Sequence, residues 1–479
     1  MDQEQPTPEP APDEEPAAAT DDPVATEPPR PGSRRRLRIA VALTLAAAIV
    51  LLAGLQVSGL VRILGGPSGA LTVPLPPRIA IVDGAGVLAT MDDRGGSVLR
   101  HSVSGVELSF PAWSPDGSRV AAIGSSTDAG GIYVFQTRGE GGADPATATN
   151  PTVIYRSETE LPFYLYWTPD SRNVAFLAQK SDGLALRVAP ADGSSPGTVL
   201  REGAPLYWDW VDPGRALVHV GTGTGAFLGE IGLDGAAGQP DATAPGFFRS
   251  PAVTHDGSRR AFMIDMGGGK GSVVLESRDG SNHHEISIPG IAALTFAPSG
   301  ASLAFIAPDA QSAQQPDLPI GSLRVVDVAS GAVRTIQGGS IVAFFWSPDG
   351  RTIATLRVPG PGENGVASIA GDARPPALLP ATFPPTAIGS GYDVSLAFVD
   401  VATGTARSTK TVRISQLFGL QILPYFDQYA LSHRFWSPDS AEIVLPLVSA
   451  EGVDGLVVLP ADGSAERRLG EGEMATWSP

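Results

Sequence analysis

Five residues, Trp346-Ser347-Pro348-Asp349-Gly350, constrain this chain more than any other stretch, because the chain keeps returning to them. An apolar run (Ile341 to Phe345) leads in and a second (Thr352 to Leu356) leads out, which reads as strand, tight turn, strand. Proline presets a backbone angle, aspartate accepts nearby amides, and glycine takes the left-handed angle that closes the turn. Variants begin at Trp113, Trp167 and Trp436, degraded copies at Trp210, Val253 and Phe296, and a last partial copy at Trp477. Between 167 and 296 the copies fall at an unbroken spacing of 43 residues.

A fixed period of this size, with strand-forming segments and one aromatic per unit, predicts an all-β fold, the β-propeller. A second landmark follows each turn at a fixed place: Asp327 to Gly331, Asp400 to Gly404, Asp279-Gly280 and Asp462-Gly463. With these residues the sequence resembles the TolB-like, WD-like propeller repeats of WSPDG type, over about residues 79–479. The resemblance implies a fold and not a function, since this repeat serves many unrelated proteins. Counting copies of the inner strand gives an eight-bladed propeller, with seven or nine blades as alternatives. Residues 79–83, 87–91 and 98–101 read as the second, third and fourth strands of a blade whose first strand is missing. Met474 to Trp477 is expected to supply it, closing the ring with a shared blade and leaving no open sheet edge there.

The repeat-free amino end divides by composition. Residues 1–38 hold nine acids and then a basic cluster, Arg30, Arg34, Arg35, Arg36 and Arg38, with nine prolines among the first 31 positions. Such a segment buries no core and is expected to be a disordered cytoplasmic tail. Ile39 to Val61 is 23 residues without a charge. As a helix it would be roughly 35 Å long, enough to cross a bilayer. The arginines before it predict a single-pass anchor with the amino end in the cytoplasm and the propeller outside. The alternative is a cleaved signal and a secreted protein, since Ser33 to Leu37 partly resembles a twin-arginine signal and Ser68-Gly69-Ala70 could serve as a cleavage site. Residues 62–78 read as a linker.

The chain has no cysteine, which excludes disulfides, thiolate metal sites and cysteine nucleophiles. Its net charge is −17, and beyond residue 38 there are still 41 acids against 28 bases. Such a surface repels phosphate backbones, so no nucleic-acid partner is expected. Nothing points to a cofactor, a metal, a catalytic residue or a homo-oligomer. His283-His284 would point to opposite faces of a strand, which is poor geometry for one metal. Gly360 to Gly365 fits a dinucleotide pattern in letters only, with no βαβ unit to follow.

Three insertions depart from the repeat: 308–321, 358–391 and 410–433. All lie on the face opposite the WSPDG turns, and long loops on a rigid scaffold are where binding resides. The last contains an aromatic stretch with two open readings. It can pack down over the blades, or it can form an exposed patch whose candidate partner-binding residues are Tyr425, Phe426, Asp427 and Tyr429. The function expected is a binding or scaffold module for a protein or glycan partner. Its alternative is a propeller enzyme, a hydrolase or lyase with its site at the central channel.

Overall fold

A computed structural model of the chain describes residues 76–137, 150–222, 225–236, 250–308, 319–359, 391–449, 452 and 454–479. The acidic tail, the apolar segment 39–61 and nearly all of the insertions 308–321 and 358–391 lie outside these residues. Among the described residues no helix is long and apolar enough to cross a membrane.

The strands are antiparallel and pair in sequence order. Four sheets have four strands, one has three, and one has ten. The ten-stranded sheet arises because Val333–Trp346 runs unbroken from the outer strand of one meander into the inner strand of the next. A single bridge, Ile414 to Leu447, then carries it into a third meander. Middle strands such as Arg119–Ser125 and Ser302–Ala307 are buried nearly from end to end. That is why they read as continuous apolar runs rather than alternating ones, each face being covered by a neighbouring sheet.

The turns show what each letter of the repeat does. The second-position hydroxyl donates to the aspartate: Ser114 to Asp116 at 2.6 Å, Thr168 to Asp170 at 2.7 Å, Ser347 to Asp349 and Ser437 to Asp439 at 2.6 Å. The same oxygen accepts the amide that opens the next strand, from Arg119, Asn173, Thr352 and Glu442. The fifth residue is left-handed, with φ of 69° at Gly117 and Gly350. Ser171 and Ser440 hold the same conformation at 63° without being glycine. Each hydroxyl there accepts an amide from the preceding turn, Asp116 and Asp349 respectively, so the strain is offset by a latch between sheets.

The tryptophans pack between sheets, as the repeat predicts. Trp113, Trp167 and Trp436 donate their indole N–H to the carbonyls of Thr476, Ala112 and Phe345, each on the inner strand of the neighbouring meander. Inner strands touch from sheet to sheet, and Tyr164 meets Trp208 at 5.2 Å across one boundary. The links return to their start where Met474–Trp477 pairs with Arg78–Val82, Ile79 opposite Trp477 and Val82 opposite Met474. The sheets therefore close a ring, and the chain is a β-propeller. Arg78, expected in the linker, is the first residue of that strand, 2% exposed and donating to the Ser97 carbonyl.

Candidate functional site

The third insertion does not decorate a face. Its first residues continue the outer strand, Ala406–Ile414, so the departure from the repeat starts at Ser415 rather than 410. From there a π-helical turn (Phe418–Ile422), a 3-10 turn (Leu423–Tyr425) and a short α-helix (Phe426–Ser432) follow without a break. Phe426 meets Phe344 at 5.5 Å and Phe345 at 6.2 Å. Tyr429 meets Tyr164 at 5.3 Å and Phe110 at 5.5 Å. The helix also touches Ala293–Phe296. These partners stand on inner strands of four different parts of the ring, and only a segment inside the ring reaches all of them. The segment 415–433 is a plug in the central channel.

The inner strands are shaped to receive it. Glu107–Trp113 slips register between Ser109 and Ala112, and Phe110 adopts φ of 50° within the slip. Leu161–Trp167 slips between Pro162 and Tyr164, and Val333–Trp346 between Ile341 and Ala343. Bulges of this kind re-aim side chains. Here they accompany Phe110, Tyr164 and Phe344, three of the rings against the plug. Gly419 fits because it lacks a side chain: a Cβ there would lie 2.2 Å from the Tyr392 ring.

The expectation of an exposed aromatic patch is corrected by this packing. Phe426 is 1% exposed, Asp427 0% and Tyr429 6%, and Tyr425 is half-buried. Phe426, Asp427 and Tyr429 do not face solvent, and the packed-down reading describes them. Burial, and then the Asp427 charge, pushes the Tyr425 hydroxyl up to about 12. Burial also raises Tyr429 and Tyr164 above the usual tyrosine range. All three hydroxyls stay protonated near neutral pH. Tyr164 donates to the Gln428 carbonyl at 2.6 Å, and the Gln428 amide donates to Asp427 Oδ1 at 3.0 Å. Asp427 is thus placed by the plug's own turn.

His433 closes the plug. It is fully buried, its Nδ1 lying 2.6 Å from Ser432 Oγ and 3.1 Å from the Tyr429 carbonyl. Burial pulls its pKa down to about 4, against the pull of the Tyr429 and Phe110 carbonyls. His101, 1% exposed and separated from Arg78 by the Thr90 hydroxyl, is also lowered to about 4, by burial and then by that arginine. Both folded values lie below the 6.5 of a free imidazole, so the unfolded chain takes up protons first. Their stabilisation is present above pH 6.5 and is lost as pH falls through 4. The expected loss is on the order of 3 kcal/mol for each histidine. Thermal midpoints measured from pH 7 to 4 check this: they should fall across that window, and less steeply in His433→Gln. A flat profile would refute the assignment.

Only His284 stands on a strand, and His283 lies just before it. His283 Nδ1 lies 2.9 Å from Glu276 Oε2, and His284 opens the strand His284–Pro289 with its partner opposite at Leu275. Among the described residues no group of three His, Cys, Asp or Glu is arranged to hold a metal ion.

With repeat, turn chemistry and ring closure in hand, the chain is a β-propeller. No family model matches it, and no curated protein matches it by sequence. Solved structures similar to it include AztD from Citrobacter koseri, at 15% identity and a TM-score of 0.48, covering 84% of this chain and 97% of that one. TolB from Acinetobacter baumannii is similar at 14% identity and 0.38, covering 84% and 83%. An oligogalacturonate lyase in complex with manganese is similar at 12% identity and 0.41, covering 85% and 86%.

Proposed function

We propose that the chain is an eight-bladed propeller, anchored through Ile39 to Val61 and held outside the cytoplasm, that binds a protein or glycan partner. The observation that carries this reading is the plug. An enzyme working in the channel needs room there, and the rings of Phe426 and Tyr429 take up part of it where they meet Phe344 and Tyr164. What the scaffold still offers is its loops, and the insertions 308–321 and 358–391 are the stretches of sequence outside the repeat. The asymmetry of arginines around 39–61 supports the orientation.

The test uses the full chain in its membrane, with a proximity-labelling enzyme fused after residue 479. Labelled proteins should be extracytoplasmic. Replacing residues 360–390 by a short Gly-Ser link should remove the specific partner from the labelled set while leaving the thermal midpoint unchanged. Labelling of cytoplasmic proteins would overturn the localisation, and an unchanged partner set would overturn the role of this insertion.

A further inference from the structure

The repeated turns provide an internal comparison. In the turn at Trp113, Arg119 lies over the Trp167 ring of the next sheet at 5.0 Å and donates through Nη2 to the Ser171 carbonyl. Arg259 holds the same place in the turn that begins at Val253. There the next turn supplies Phe296 for the tryptophan, Ser299 for the aspartate and Gly300 for the serine. The latch between turns is gone, and between them lies a cavity of about 390 Å³. Arg259 lines it. Its Nη1 is shut off from solvent and has no hydrogen-bond partner among the described residues.

Two carboxylates also line the cavity, and each is already committed within its own turn. Asp256 accepts the Thr254 hydroxyl at 2.6 Å and both the amide and the hydroxyl of Ser258, bonds that hold its pKa at about 2 against the desolvation that would raise it. Asp327 accepts the amide and hydroxyl of Ser330. Neither forms an ion pair with Arg259 among the described residues. A buried guanidinium donor left without an acceptor is costly, and the planar fork of the half-buried Arg259 side chain that lines the cavity fits a planar carboxylate in two parallel bonds. The two aspartates decide between anions. They repel a doubly charged phosphate about twice as strongly as a singly charged carboxylate.

We propose that this cavity is a binding site for a carboxylate-bearing ligand, with Arg259 as its anchor and the hydroxyls of Ser258 and Ser299 beside it. The volume suits a small organic acid or the acidic terminal residue of a peptide. The site lies among the WSPDG-type turns, and its test stands independently of the partner proposed for the insertions.

The experiment is titration calorimetry on the full chain in detergent, with propionate, a dipeptide ending in aspartate, and inorganic phosphate as probes. Propionate or the dipeptide is expected to bind saturably, phosphate at least about tenfold more weakly. The tighter of the first two identifies the source. Arg259→Gln should weaken the carboxylate about tenfold or more, the scale of one charged hydrogen bond. Arg119→Gln, in the partnered turn, should leave it unchanged. Arg259→Lys keeps the charge without the fork and should also lose about tenfold, which covers the case of a poorly folding Gln variant. Failure of both carboxylates to bind, equal binding by Arg259→Gln, or phosphate binding as tightly would each overturn the proposal.

Discussion

Deleting residues 472–479 is expected to abolish the cooperative thermal transition. The strand Met474–Trp477 is four residues long, yet it is tied on both sides of the closure. It pairs with Ile79 to Val82, the Trp477 amide donates to the Arg434 carbonyl at 2.7 Å, and the Ser478 amide donates to the Arg78 carbonyl at 2.8 Å. Thr476 is joined twice to the next inner strand, accepting from the Trp113 indole at 3.1 Å and donating to the Pro111 carbonyl at 3.1 Å. Trp477 is 1% exposed in a cluster with Ile79, Met91, Val444 and Leu456. Removing such a ring costs about 3–5 kcal/mol, and each buried donor or acceptor left unpaired about 1–3 more. The sum reaches the whole stability of an ordinary domain, about 5–15 kcal/mol. It also leaves Arg78–Val82 as an open edge. Calorimetry and light scattering should show a broad or absent transition with aggregation. Trp477→Ala should give a smaller, graded loss. A truncated chain that melts with the parent's midpoint would remove this strand from the ring.

The closure was legible because strand order is carried by spacing. Residues 79–101 show second, third and fourth strands with no first, and the copy at Trp477 matches a first strand. The roles of proline, aspartate and glycine in the turns were legible too, whereas that of the hydroxyl at Ser114 and its equivalents emerged only from the structure. The join through Val333–Trp346 was not, because Gly338-Gly339 between its halves reads as a break. In the structure, Gly339 instead takes φ of 102° within a continuous strand.

The plug was only half legible, and for a physical reason. An aromatic segment outside a repeat has no register to place it, so composition leaves both surface and interior open. Spacing held the missing signal. Phe418, Ile422, Phe426 and Tyr429 recur at steps of four, four and three, the period of one helical face, and all four are buried. Asp427 stands beside that face and gave the segment a polar look, although it too is enclosed. The cavity at Arg259 was hidden for the opposite reason. The arginine follows the repeat, and what sets it apart is the loss of Trp and Ser one unit later, in a copy too degraded to draw attention.

Removing the plug's rings is expected to unfold much of the propeller rather than to leave it intact. Phe426→Ala and Tyr429→Ala each delete a ring buried among inner strands, where truncation of an aromatic costs about 3–5 kcal/mol. Tyr425 is half-buried and should cost less. The two cavities share the same short helix, so their effects should not add. Tyr164→Phe provides the scale. It deletes one hydroxyl that donates to the Gln428 carbonyl at 2.6 Å, and leaves that carbonyl unpaired at about 1–3 kcal/mol. Urea midpoints should therefore rank parent, Tyr164→Phe, then the single ring deletions. Replacing Tyr425, Phe426 and Tyr429 together by Ser should leave no cooperative transition at room temperature. If the triple variant unfolds at the parent's midpoint with an unchanged slope, the ring stands without its plug. The channel would then be a space that this segment merely occupies, and the case against chemistry inside it would fall with the same result.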